Sequence, residues 1–470
     1  MAYSAILKGV APRFMGSVTS DFQAHPLIFD KNNEPLITSD WEHEMMRSID
    51  GKTDRIKHQQ DPTAFPKFHA YAGSYIERSA ELGESMFRVS LDFARLCPKE
   101  GEFNKPLMAE YIKHLALIRL RGMEPMLALY HWPMPLYLTS LSPSGEIDQG
   151  GWEHEDAVYH FKFFINQVVG ILSDTDALSV ILRLKGFKRK DIDAILRQGL
   201  VKHIITLNEP STFTLNGYIV GEFPPYRKRD FTTWNSVLAK LVEAHDIAYG
   251  RIKSIGPDVK AGIGYNWTYF DGWFGGWLQR SVNERIMKMF ERDGSHSDFI
   301  GLQYYCRVTA PSVYPPLGTR KPKGRVYSDH PKFGDLYPEG IYTFLKRIHT
   351  LYPDKPLFVS EFGAVDRRDV KRPYVILETV RHILRAAREG VPINGILHWS
   401  IANNFEWEQG MDGQCGLFDE REIRKPLRSD GKLRSWQVWK ALITALYAPS
   451  AEAYAKVDRM YEEAKQQFFK

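Results

Sequence analysis

Eight short runs of branched and aromatic residues, each followed by a longer stretch with helical spacing, constrain this chain more than any other feature. The runs lie at 14–18, 86–91, 126–130, 203–207, 261–265, 299–303, 357–360 and 395–399. The helical stretches fall near 66–82, 107–121, 153–172, 234–255, 280–291, 338–351, 371–389 and 432–447. Apolar runs this short suit parallel strands buried on both faces. Their alternation with helices implies right-handed crossovers. Eight such units suit closure into an α/β fold, the (β/α)8 TIM barrel, which can absorb 470 residues as a single domain when its loops are long. A doubly wound open sheet is the alternative, but no strand is followed by the G-x-G-x-x-G turn that a dinucleotide site needs.

Two segments fall outside the repeat. Residues 172–200 read as extra short helices inserted before the fourth strand, on the face away from the strand C-termini. Residues 451–470 read as a charged amphipathic helix, with Tyr454, Val457, Met460, Tyr461 and Ala464 on one side, packed outside a barrel that occupies 1–450.

Composition narrows the function classes. Lys+Arg 62 against Asp+Glu 57 gives +5, with the basic residues scattered rather than striped, so no nucleic-acid partner is expected. No apolar run approaches the ~18 residues of a membrane span, and the first ten residues lack a signal-peptide core, so no membrane partner is expected either. Cys97, Cys306 and Cys415 are an odd three without a CxxC, which suits a reducing compartment; a cytoplasmic protein without cofactor or structural zinc is the expectation. Oligomeric state is left open.

In a barrel of this kind the C-terminal ends of all eight strands meet at one face, where active sites sit. The sequence places Gln23 past the first run, Arg88 in the second, and His131 and Trp132 after the third. Asn208 and Glu209 end the fourth, Asn266 and Trp267 the fifth, Tyr304 and Tyr305 the sixth, and Ser360-Glu361-Phe362-Gly363 the seventh. Trp399 ends the eighth, followed by Asn404-Phe405-Glu406-Trp407. Pro210 cannot continue a sheet ladder, so Glu209 is left at the rim. Two glutamates on opposite sides of a ring suit cleavage of an acetal between sugars: one carboxyl protonates the leaving oxygen and the other traps the cationic carbon. Aromatic rings stack on sugar faces while Gln, Asn, His and Glu hydrogen-bond hydroxyls. There is no metal-ligand spacing, no G-x-S-x-G elbow and no P-loop.

On these residues the chain resembles the family 1 glycoside hydrolases, the β-glucosidase group, from about 14 to 439. The likeness is carried by the stretches 14–23, 87–98, 129–135, 150–152, 206–210, 298–305, 337–340 and 399–407 in order. The resemblance implies a retaining β-glycosidase that hydrolyses small β-linked glycosides through a covalent glycosyl-enzyme intermediate. It casts Glu209 as acid/base and Glu361 as nucleophile, supported by Arg88, Asn208 and Tyr305. Gln23, His131, Trp132, Trp399, Glu406 and Trp407 are then the sugar contacts. The alternatives are a transglycosidase using the same intermediate and a sugar-binding barrel without turnover. A 6-phosphorylated glycoside is disfavoured because Glu406 would face the phosphate. The chain departs from the family at Phe362 and Gln303, each in place of Asn, at Gln414-Cys415-Gly416, and near 66–69. From these follow two expectations: a more open sugar pocket near Cys415, and trimmed loops between the fifth and seventh strands.

Overall fold

The computed structural model describes residues 2–469 apart from 58–60, 63–64, 293, 295, 310–323, 331–332 and 429. All eight expected runs are strands of one closed barrel, numbered here β1 (Phe14–Val18), β2 (Met86–Ser90), β3 (Glu124–Tyr130), β4 (His203–Asn208), β5 (Lys260–Asn266), β6 (Phe299–Tyr304), β7 (Leu357–Phe362) and β8 (Ile393–Trp399). Neighbours in sequence are neighbours in the barrel, every pairing is parallel, and β8 closes on β1. The crossover helices are α1 (Phe68–Glu81), α2 (Lys105–Leu120), α3 (Ala157–Ser173), α4 (Phe231–Ile252), α5 (Arg285–Glu291), α6 (Gly340–Leu351), α7 (Arg372–Arg388) and α8 (Ser435–Tyr447). The local signals that start them are visible: Asn104 accepts from the Leu107 amide with Pro106 in the first turn of α2, and Asp230 caps α4. The fifth helix falls furthest short of its periodicity. Ahead of Arg285 the chain winds through a wide turn, Gln279–Glu284, after the glycine pair Gly275-Gly276.

Inside the barrel, aromatic rings fill the end away from the strand C-termini. Phe358 stacks on Phe14 with ring centroids 6.3 Å apart and meets Phe299 edge-on at 5.0 Å, and His203 closes the layer at 5.5 Å from Phe358. This plug makes the barrel a packed core with a floor rather than a channel. Between barrel and helices, buried Glu84 accepts from the Ser17 amide and hydroxyl and from the Trp439 indole, tying β1 to α8.

Register slips at two places matter for function. Along β7 the pairing with β6 shifts between Val359 and Glu361, and along β4 the pairing with β5 shifts between Ile205 and Asn208. Such irregularities re-aim side chains at a strand end. Both slips occur where the sequence places its carboxylates.

The 172–200 segment forms two helices, Thr175–Leu184 and Arg189–Gln198. They bury Leu178, Leu182, Ile192 and Ile195, and Lys185 bonds Glu110 of α2. The tail forms α9 (Ala451–Phe468); Lys470 lies outside the described residues. Asp458 accepts from the Ser4 amide and hydroxyl at 2.7 Å each, and Phe468 packs on Tyr374 of α7 with centroids 4.5 Å apart. The two ends of the chain therefore meet on the outside of the barrel.

Candidate active site

At the mouth of the barrel Glu361, the penultimate residue of β7, is buried and ringed by donors. Arg88 on β2 reaches its Oε1 through Nη1 at 2.8 Å. Gln303 on β6 donates to the same oxygen at 3.0 Å, and the Tyr305 hydroxyl donates to Oε2. Hydrogen bonds to a charged carboxylate are roughly twice as strong as neutral ones and favour the ionised form.

Glu209 sits immediately past the end of β4 in the left-handed region, at φ 48 and ψ 58, with Pro210 opening a short helix behind it. Trp132 and Trp407, at φ 86 and 53, share this unusual backbone on the same rim. Residues without the freedom of glycine hold such angles at a cost of about 1–3 kcal/mol each, sustained only where the surroundings over-determine them. The Glu209 amide is held by the Gly264 carbonyl at 2.8 Å, its Oε2 accepts from Asn266 of β5 at 3.2 Å, and the Thr212 hydroxyl also bonds the carboxyl.

These surroundings separate the two carboxyls. Burial pushes Glu209 up, the negative charge of Glu361 adds to it, and the result is a pKa of about 8, against the opposing pull of Thr212, Asn266 and Arg88. Burial also raises Glu361, but Arg88 and the Tyr305 hydroxyl pull it back. A single proton shared by the pair therefore resides on Glu209, and Glu361 carries the charge.

Asn208 orders the floor between them. Its Oδ1 accepts from Arg88 Nη2 at 2.8 Å and from Gln303 at 2.7 Å. Two donors on one oxygen fix the amide orientation, so Nδ2 faces His131 Nε2 at 3.1 Å as the donor. His131 must then be neutral with its proton on Nδ1. Burial and the Arg88 charge, which hold its pKa well below the ordinary range, agree. Nδ1 is buried without a protein partner.

The other predicted contacts form a second cluster. Both oxygens of Glu406 are taken, Oε1 by the Trp399 indole at 2.9 Å and Oε2 by Gln23 at 3.1 Å. Trp132 stacks against Trp407 with centroids 4.3 Å apart, and its indole donates to the Asn208 carbonyl at 2.9 Å. His131 joins the clusters, its ring 5.9 Å from Trp399. Gln23 itself rides on a short helix, Asp21–Ala24, pinned from below by Arg95 to Asp21 and Glu42 at 3.0 and 2.8 Å. His69, in the stretch that departs from the family pattern, lies 2.8 Å from Asp21 on the other side.

All eleven site residues predicted from the sequence thus lie in one connected set. Two were missed. Gln303, in the sequence a departure from the family pattern, touches both Asn208 and Glu361; the longer side chain fits because Gly264 on the neighbouring strand has none, and a Cβ there would come within 2.6 Å of Gln303 Nε2. Asn266, which the sequence shows only as a rim residue, donates to Glu209. Two other rim residues face away: Trp267 and Tyr304 pack on Phe344 of α6 at 5.3 and 5.6 Å. The pleat explains both, since each is next in sequence to a residue that points inward.

The same alternation disposes of Phe362. Its ring lies 5.3 Å from His398 and 5.9 Å from Trp439, so it fills the space under α8 and not the site. The expected opening near Cys415 is not there. Cys415 is fully buried beside Trp399, and Arg372 holds the carbonyls of Gln414 and Gly416 at 2.8 and 2.7 Å. Much of the expected trimmed loop region, 310–323, lies outside the described residues.

A buried proton donor facing a buried, cation-held carboxylate, inside a ring of hydroxyl-binding groups, is the equipment of a glycosidase. The sequence profile of glycosyl hydrolase family 1 matches residues 38–180, 196–272 and 279–432, and the chain belongs to that family. It is a retaining β-glycosidase. Among its relatives, a β-galactosidase of Sulfolobus acidocaldarius is 26% identical over 407 residues, 78% of this chain and 75% of that one. The chloroplastic galactolipid galactosyltransferase of Arabidopsis thaliana is 26% identical over 389 residues, 77% of this chain but 54% of that longer protein. The fold is similar to that of the β-glucosidase of Pyrococcus furiosus, with a TM-score of 0.76 at 22% identity over 98% of this chain and 99% of that one.

Proposed function

We propose that this enzyme removes a terminal β-linked glucose or galactose from small glycosides, with Glu361 as nucleophile and Glu209 as acid and then base. The observation that carries the assignment is the asymmetry of donors: Arg88, Gln303 and Tyr305 converge on Glu361, so that a cation holds it, whereas the neutral side chains of Asn266 and Thr212 serve Glu209. In the first step Glu361 attacks the anomeric carbon while Glu209 gives its proton to the departing oxygen. In the second, Glu209, now ionised, takes a proton from water, which displaces Glu361 and restores the β configuration. The phenol of Tyr305 and the guanidinium of Arg88 hold the attacking oxygens in place. Glu406 and Gln23, with the Trp399 indole, are suited to read two neighbouring hydroxyls, and the neutral His131 offers the Nδ1 proton to another.

The choice of glucose and galactose is supported by relatives named β-galactosidase in Sulfolobus acidocaldarius and β-glucosidase A in Thermotoga maritima. A second reading, transfer of the sugar to a hydroxyl acceptor in place of water, draws on the Arabidopsis relative named a galactosyltransferase. Both readings share the first step. A panel of nitrophenyl β-glycosides (gluco, galacto, fuco, manno and 6-phosphogluco), assayed with and without an added alcohol, tests them. Turnover of the gluco or galacto member with free sugar as product is expected. Turnover of only the phosphorylated member would contradict the sugar assignment, and transfer products dominating at modest acceptor concentration would favour the second reading.

A further inference from the structure

After β5 the chain makes a short outer strand, Tyr269–Asp271, and then the turn Gly272-Trp273-Phe274-Gly275-Gly276-Trp277. Trp273 is 99% exposed, and Phe274 and Trp277 are 60% exposed each. Scattered apolar residues on a surface need no explanation, but three large aromatics within five positions form a patch. They are held outward by a folded turn. Gly275 packs where a Cβ would come within 2.4 Å of the Phe270 carbonyl, Gln279 donates to that same carbonyl at 3.1 Å, and the Leu278 amide bonds the Phe274 carbonyl at 2.9 Å. Residues 273–278 also fall in the gap between two segments matched to the family, so the chemistry common to its members does not account for them.

The charge beside the patch has one sign. Arg280 and Arg285 are exposed on the helix that leads away from Trp277, and neither pairs with an acid among the described residues. Arg285 instead lies over the Trp234 ring at 5.8 Å and donates to Asn235 at 2.9 Å. That contact brings up the first turn of α4, where Phe231 is another exposed ring. The nearby acids are engaged elsewhere: Asp271 by Arg325, and Glu284 by Arg347 at 2.8 Å. Aromatic residues with a polar edge favour the headgroup layer of a bilayer, and each exposed Arg near an anionic surface adds about a factor of five in affinity.

We propose that this face docks on an anionic lipid bilayer, with Trp273, Phe274 and Trp277 in the headgroup layer and Arg280 and Arg285 against the phosphates. Among the described residues no single helix is long and apolar enough to cross a membrane, and the attachment proposed is a peripheral one. The loop extends from β5, whose Asn266 bonds Glu209, and so stands on the leaving-group side of the mouth. A bilayer there presents glycosides whose aglycone is anchored in lipid. This second part rests on the acid/base role given to Glu209 above; the docking does not.

Flotation of the full chain with phosphatidylcholine vesicles containing 30% phosphatidylglycerol tests the docking. Wild type is expected to float with these vesicles and to be released by 0.5 M salt. W273S/F274S/W277S is expected to lower the vesicle partition coefficient at least about 10-fold, and R280E/R285E at least about 30-fold, with kcat/KM on a soluble nitrophenyl glycoside within about two-fold of wild type. No flotation of wild type, or undiminished flotation of the triple variant, overturns the proposal. So does a triple variant that falls apart from an oligomer, or that loses soluble turnover, without any change at vesicles. Hydrolysis of a β-glucosyl lipid carried in the same vesicles should fall with the triple variant while soluble turnover persists. Flotation without glycolipid turnover would leave the docking standing and contradict the substrate part alone.

Discussion

Glu209 and Glu361 are the same residue type, equally buried, at the ends of β4 and β7 in one barrel, yet the structure treats them differently. Glu361 stays within its strand, at the register slip, and receives a guanidinium, a phenol and an amide. Glu209 stands past its strand in a left-handed conformation, is bonded by the neutral side chains of Asn266 and Thr212, and forms no ion pair among the described residues. Burial acts on both in the same direction, so their neighbours divide the roles. A carboxyl without close positive charge keeps its proton and can donate it; one that is held by Arg88 stays charged and can attack.

The contrast is broken most severely by removing one carboxyl at a time. Glu361→Ala leaves nothing to form the covalent intermediate, and kcat is expected to fall at least about 10⁴-fold on every substrate whatever its leaving group. Glu209→Ala removes only proton transfer, so glycosides with poor leaving groups should lose about 10²–10⁴-fold while the first step on a dinitrophenyl glycoside survives. Azide, which needs no base, should restore turnover of that variant and give the β-glycosyl azide. Full activity in either variant, read by steady-state kinetics, would contradict the division of roles.

Weakening one side should sharpen the comparison. Tyr305→Phe and Gln303→Ala each remove one donor to the charged form of Glu361. Each should cost about 10–100-fold in kcat/KM and shift the acidic limb of the pH profile upward, because the ionised nucleophile is less well held. A fall in rate with an unmoved acidic limb would mean that these residues act on something other than Glu361.

The smallest effect concerns the other side. In wild type, kcat/KM should decline as pH rises through about 8, where Glu209 loses the proton it must donate. Asn266 bonds the ionised form and opposes that retention, so Asn266→Ala should move the basic limb to higher pH with a modest change in rate at neutral pH. A shift to lower pH would show that Asn266 serves the protonated acid instead.

The barrel was legible because its strands are short apolar runs bounded by clear turns, and β-strand burial on both faces leaves a simple signal. The site was legible for a related reason: a parallel barrel collects its strand ends, so a list of rim residues is already a spatial hypothesis. What the sequence could not show was which of two adjacent rim residues points inward. Trp267 and Tyr304 looked equivalent to Asn266 and Tyr305, and Phe362 looked like a change in the site, until the pleat placed all three behind the barrel. Gln303 is the converse case. Its fit depends on the missing side chain of Gly264 on the neighbouring strand, a pairing of residues 39 positions apart that no local pattern contains.

The central claim is that Glu361 becomes covalently bonded to the sugar and Glu209 does not. A 2-deoxy-2-fluoro glycoside with a good leaving group slows both steps and the hydrolysis more, so the intermediate accumulates and can be digested and mapped by mass spectrometry. One sugar per chain, esterified to Glu361 and lost in Glu361→Ala, is the expected result; a sugar ester on Glu209 or on any other side chain would contradict the account.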